Sequence, residues 1–203
     1  MQHLGGCRWS PKACEGLAHL PLIVILVCFL LIFSGCRFSA TKDKLIVTSP
    51  ELIPEDEAEI APSFELPVIA NEQEVNNKKI ISLDELLKEP SVKAVTLHFC
   101  LIDEMSLGWT YKELYEQNKS KGLISLMIIY SSPEDIQKLV KKTNITMPVL
   151  LDSNRAVKEL YKISSSPYIF LIDKSGKIRY SKAGYMPEDL EEFNQAIEKL
   201  LEF

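Results

Sequence analysis

Two apolar, β-rich runs, Ala94–Cys100 (AVTLHFC) and Leu123–Tyr130 (LISLMIIY), do most to restrict the folds open to this chain. Runs without a polar alternation fit strands covered on both faces, so Ala94–Cys100 is predicted to be a central strand. Between the two runs Leu107, Tyr111 and Leu114 recur at helical spacing, and the helix should stop near Lys121-Gly122. Ser132-Pro133-Glu134-Asp135 then opens a further helix, with an N-cap, proline at N1 and acids set against the helix dipole. Val149–Leu151 is short and apolar, and Asn154–Tyr161 reads as helical. The pattern then changes. Tyr168–Ile172 and Ile178–Lys182 flank Asp173-Lys174-Ser175-Gly176-Lys177, a hairpin turn by its Asp and Gly content. Pro187–Leu201 closes the chain as an amphipathic helix with Leu190, Phe193, Ile197, Leu200 and Leu201 on one side.

Upstream, Ala61-Pro62-Ser63-Phe64-Glu65-Leu66 predicts an extended segment. Ser82-Leu83-Asp84-Glu85 has the form of a capping box, leading into a short helix that ends at about Lys88. From Ala94 the order is β-α-β-α-(β)-α-β-β-α. That order specifies an α/β domain over residues 61–203, with a central mixed β-sheet flanked by helices and a C-terminal β-hairpin and helix.

The formal charge of −5 and the lack of clustered basic residues argue against nucleic-acid binding. Acid is concentrated instead. From Glu51 to Asn77 the chain holds Glu51, Glu55, Asp56, Glu57, Glu59, Glu65, Glu72 and Glu74 and no lysine or arginine. Such a run reads as a solvated, self-repelling tether, assigned to residues 37–60, with an acidic docking strip as the alternative. Ahead of it, Leu20–Phe33 (LPLIVILVCFLLIF) is uninterrupted by any polar residue and follows Arg8 and Lys12. Its length is short for a membrane span and suits the apolar core of a signal peptide. The run ends in Phe33-Ser34-Gly35-Cys36, small residues before a cysteine, as in the lipobox of bacterial lipoproteins. Residues 1–36 are therefore expected to be a leader, and Cys36 to carry a lipid that holds the chain to a membrane outside the cytoplasm. Phe33 stands where Leu is preferred, and the n-region is long, so an uncleaved signal anchor and simple secretion stay open.

Three strings resemble the thioredoxin-like superfamily, in particular its extracytoplasmic TlpA/ResA and AhpC/TSA (redoxin) branch. They are Ala61–Leu66, Ile145-Thr146-Met147-Pro148-Val149-Leu150-Leu151-Asp152, and Ser166–Asp173 followed by Gly176-Lys177-Ile178. They occur in the family's order and cover residues 61–203. The resemblance implies a thioredoxin-like fold and a thiol-disulfide or antioxidant ancestry. It also implies that Pro167 is the cis-proline of a loop facing the active site, with Ser166 and Tyr168 flanking a groove for an extended chain.

The same resemblance exposes a departure. Family members place Cys-x-x-Cys after the strand, where helix amides stabilise a thiolate and a second cysteine resolves the mixed disulfide. Here that place holds Glu104-Met105-Ser106-Leu107, so Glu104 and Leu107 replace the two thiols. A peroxiredoxin-style alignment puts Gly108 at the reactive position, with Leu101 and Met105 nearby, and fails as well. Glu104 reads as a solvated first-turn acid, with a functional acid as the alternative, and Met105 and Trp109 as packing residues or an apolar lip. Cys7, Cys14, Cys28 and Cys36 all precede the domain, which leaves Cys100 as its one thiol. His98 lies two residues before Cys100 and shares its strand face. A single Cys and a single His are too few for a zinc or copper site, so neither metal nor cofactor is expected. The leading expectation is a redox-inactive module that binds a peptide or protein of the cell envelope. The alternatives are a single-cysteine thiol enzyme acting through Cys100 and a structural subunit of an envelope complex.

Overall fold

The computed structural model describes residues 50–101, 108–184 and 187–202. The leader, Cys36 and the first part of the tether lie outside the described residues, as do Glu104, Met105 and Leu107. The backbones of Gly108 and Trp109 belong to a helix, but their side chains are not among those described.

Seven strands form one mixed sheet: β1 (Glu65–Ala70), β2 (Ile80–Ser82), β3 (Ala94–Cys100), β4 (Leu123–Ile129), β5 (Val149–Leu151), β6 (Tyr168–Asp173) and β7 (Ile178–Ala183). Their spatial order is β2-β1-β5-β4-β3-β6-β7. β3, β4 and β5 run parallel, and every other pairing is antiparallel. The helices are α1 (Leu83–Lys88), α2 (Gly108–Asn118), α3 (Pro133–Thr143), α4 (Ala156–Leu160) and α5 (Leu190–Leu201). This is the α/β architecture that the sequence predicts, with β3 central and buried along its whole length.

The period of two along β3 divides the core. Val95, Leu97 and Phe99 join one cluster under α1 and α4, through Leu83, Leu86 and Val157. Ala94 and Cys100 join the other under α2, α3 and α5, through Tyr111, Tyr115, Ile136, Phe193 and Ile197. Local signals act largely where expected. Ser132 caps α3 by accepting the Asp135 amide at 3.2 Å, and Gly122 takes the left-handed φ of 103° that ends the turn after α2. Asp173 closes the β6–β7 turn, its carboxylate accepting from the Ser175 and Lys177 amides at 2.9 and 3.0 Å.

Three local expectations change. Ser82 is the N-cap of α1, but its side chain makes no capping bond, because its backbone already serves β2 opposite Glu65. The Leu83 amide is satisfied by the Phe64 carbonyl at 3.1 Å instead. The helix foreseen over Asn154–Tyr161 is shorter, since Asn154 Oδ1 turns back to the Ala156 amide at 3.2 Å. The acidic segment also has a place in the fold. Its side chains stay largely exposed, yet Ile53, Glu59 and Ala61 exchange backbone hydrogen bonds with Arg179, Ile178 and Gly176. The segment thereby covers the outer edge of β7, an edge that would otherwise offer unpaired amides to another chain.

Candidate functional site

The C-terminal ends of β3, β4 and β5 meet the start of β6 along one edge of the domain. Register fixes the neighbours: Cys100 pairs with Ile129, Phe99 with Tyr168, and Ile129 with Leu151. Leu101, just past β3, is 43 % exposed and lies between Tyr130 and the Ser166-Pro167 loop. The Ser166–Pro167 peptide bond is cis, as the resemblance implies. Ser166 Oγ donates to the Phe99 carbonyl at 3.4 Å, and Tyr168 stacks on Phe170 at 4.7 Å. Ser166, Pro167 and Tyr168 are each half-buried, so the loop is open to solvent on one side.

Cys100 does not share that exposure. It is 2 % exposed, packs in the α2–α5 half of the core, and is in no disulfide among the described residues. Burial shields its sulfur from solvent-borne reagents. His98 is on the same face, as the strand period requires, and is held neutral there. Burial between Tyr111 and Phe193, with ring centroids at 4.5 and 6.3 Å, pushes its pKa down to about 3. Thr96 Oγ1 lies 2.9 Å from His98 Nε2 and donates to Ser125 Oγ at 2.7 Å. With Thr96 donating onward, its oxygen accepts from Nε2–H, and Nδ1 is left a buried acceptor without a partner among the described residues. The row Thr96–His98–Cys100 is thus a neutral polar seam in the core. No group of three or more His, Cys, Asp or Glu gathers as a metal site among the described residues.

One feature of this edge escapes sequence inspection. The Arg155 guanidinium and the Lys158 ammonium lie 5.1 and 5.2 Å from the centre of the Tyr130 ring. Tyr130 continues β4 while the cations flank the start of α4. They meet because β4 and β5 are paired, and the Asp152 amide donates to the Ile129 carbonyl at 2.9 Å.

Residues 58–181 match the family model described as the AhpC/TSA family. The chain belongs to this family. It is 30 % identical over 87 residues to the thiol-disulfide oxidoreductase ResA of Geobacillus kaustophilus, a match covering 42 % of this chain and 50 % of that one. It is 27 % identical over 133 residues to ResA of Oceanobacillus iheyensis, covering 64 % and 66 %. The chain therefore spans about half to two thirds of the length of these curated relatives.

Solved structures support the fold of this AhpC/TSA member. The thioredoxin domain of a thiol-disulfide oxidoreductase from Bacteroides vulgatus superposes with a TM-score of 0.55 at 20 % identity, covering 71 % of this chain and 96 % of that one. StoA of Bacillus subtilis gives 0.52 at 18 %, covering 68 % and 97 %. The fold is thioredoxin-like, and the segment between β3 and α2 of this family member contains no cysteine.

Proposed function

We propose that the protein is a redox-inactive, membrane-anchored member of its family that binds an extended peptide or protein segment outside the cytoplasm. One observation carries the reading: residues 101–107 hold no cysteine, while the domain's one thiol, Cys100, is buried in the core. A thiol-disulfide cycle needs an accessible thiolate and a resolving thiol, and both requirements fail here. The binding frame is kept. Leu101, the Ser166-Pro167 loop and Tyr168 border a solvent-facing edge at the ends of the parallel strands, where ligands of open α/β sheets commonly lie. The leader ending at Cys36 supports a lipid anchor and an envelope location. The names of its ResA relatives speak of thiol-disulfide chemistry, but a shared fold does not transfer chemistry.

The decisive experiment treats the native protein with a maleimide and then with peroxide, reading Cys100 by peptide mass. The expected result is no labelling and no sulfenate at Cys100 until the protein is denatured. Rapid native labelling with sulfenate formation would replace the binding module with a single-cysteine thiol enzyme. Anchoring is checked separately, by incorporation of a labelled fatty acid that Cys36→Ser abolishes.

A further inference from the structure

The edge that carries the groove also carries two cations that converge on one aromatic ring. Lys78, Lys79, Lys119, Lys138, Lys177, Arg179 and Lys182 each meet a carboxylate, whereas surface lysines such as Lys88, Lys141 and Lys162 form no ion pair among the described residues, so convergence rather than the lack of a partner sets this pair apart. Arg155 and Lys158 form no ion pair among the described residues, and both are held against one ring, that of Tyr130. Of the acids near them in sequence, Asp152 is buried and accepts from the Val157 and Lys158 amides at 3.3 and 2.9 Å, and Glu159, next to Lys158, is exposed and in no ion pair among the described residues. In a chain of net charge −5, two cations held at one half-buried ring, without a carboxylate partner among the described residues, form a local site for an anion.

Its position relates it to the groove. Tyr130, Leu101 and the Ser166-Pro167 loop sit at the ends of three adjacent strands, β4, β3 and β6. Neighbouring strands are about 4.8 Å apart, so about 10 Å separates Tyr130 from the loop, the reach of about three residues of extended chain. Between them, among the described residues, stands Leu101, apolar and exposed.

Resting on the peptide-binding reading above, we propose that the bound segment is acidic: an Asp or Glu about three residues from the residue seated at Pro167 places its carboxylate between Arg155 and Lys158. Arg155 can meet a carboxylate through two parallel N–H donors. A phosphate of an anionic membrane is a weaker match, because membrane recognition by charge usually draws on clusters of about four to eight basic residues.

The test is selection from a random heptapeptide library by the full-length protein in neutral detergent. Parallel binding to vesicles of phosphatidylglycerol and of phosphatidylcholine tests the membrane source. The expected result is a pool enriched in Asp and Glu at a fixed spacing from an apolar residue. A synthetic peptide from that pool should lose about tenfold in affinity with Arg155→Gln/Lys158→Gln and bind more weakly as salt rises. Equal thermal melts of the variant and the parent exclude misfolding, and Tyr130→Leu, which releases both cations without removing them, should weaken binding less. Peptides enriched without an acidic bias would overturn this inference and leave the groove reading intact. Failure to enrich any peptide would overturn both. An effect of the double variant confined to phosphatidylglycerol vesicles would assign the cations to the membrane and overturn the peptide assignment.

Discussion

The two ends of the sheet are built to opposite rules. At the end where β6 turns into β7, Asp173 accepts from two amides, the Ser175 hydroxyl and the Arg179 guanidinium, while the segment from Ile53 to Ala61 is laid along the strand edge. At the other end Leu101 is exposed, the Pro167 loop is open, and Arg155 and Lys158 lean on Tyr130 without a carboxylate partner among the described residues. One end spends its polar groups on itself. The other keeps two cations without a carboxylate partner among the described residues, the feature on which the proposed acidic-peptide site rests. The cysteines that the family resemblance places after β3 would stand at the second end.

The largest expected effect lies at the first end. Burial works to raise the Asp173 carboxyl, and the Ser175 hydroxyl, the Lys177 amide and the Arg179 guanidinium outweigh it, holding the group below the ordinary carboxylate range. Asp173→Ala removes all these contacts and leaves Arg179 half-buried beside the Ile53 carbonyl. The cost should be about 3 kcal/mol in urea denaturation, with peptide binding per folded molecule unchanged. A comparable loss of binding would show that the two ends are coupled.

Between the ends, the His98 seam makes stability depend on pH. Its folded pKa of about 3 lies below the ordinary 6.5, so the unfolded chain takes up a proton that the folded chain refuses. Stability from this group is full above pH 6.5 and falls as the pH drops toward 3. The expected loss from pH 7 to pH 5 is about 2 kcal/mol, and His98→Gln should flatten that slope. A slope unchanged in the variant would place the acid sensitivity in the carboxylates.

Much of this contrast was legible in the chain, though unevenly. β3 and β4 are short apolar runs rich in β-branched and aromatic residues, which favour strands covered on both faces, and α3 announces itself through Ser132 and Pro133. The cis bond before Pro167 followed from family resemblance, not from residue chemistry. β2 was missed because Ile80–Ser82 has no local pattern; its pairing with Pro67, Leu66 and Glu65 is set at long range. The same β2 pairing makes the Ser82 capping box misleading. The docking of Ile53–Ala61 was equally hidden, since backbone hydrogen bonds place few demands on side chains, and a run of acids reads the same loose or laid down. At the site, the shared face of His98 and Cys100 follows from the strand period. The meeting of Tyr130 with Arg155 and Lys158 does not, because only the β4–β5 pairing brings those stretches together.

Cys100 tests how far the active edge reaches into the core. Cys100→Ala removes one buried sulfur next to the α2–α5 cluster and should cost about 1 kcal/mol without altering peptide affinity. A loss of affinity would mean that the thiol reaches the groove. Ser132→Ala, at the N-cap of α3 beside the end of β4, should likewise cost about 1 kcal/mol by freeing the Asp135 amide.

The smallest stability effect is expected where the binding effect is greatest. Each exposed cation–π contact contributes about 0.5 kcal/mol, and removing either charge relieves repulsion between the two cations that share the Tyr130 ring. These terms oppose, so Arg155→Gln should shift the unfolding free energy by about 0.5 kcal/mol or less. Removing Arg179, a base with a carboxylate partner at the opposite end, should cost several times more, because it strands Asp173. Denaturation curves of Arg155→Gln and Arg179→Gln measured side by side put the contrast in one ratio. A near-equal cost would mean that the rim cations serve the fold, and the asymmetry between the two ends would lose its functional meaning.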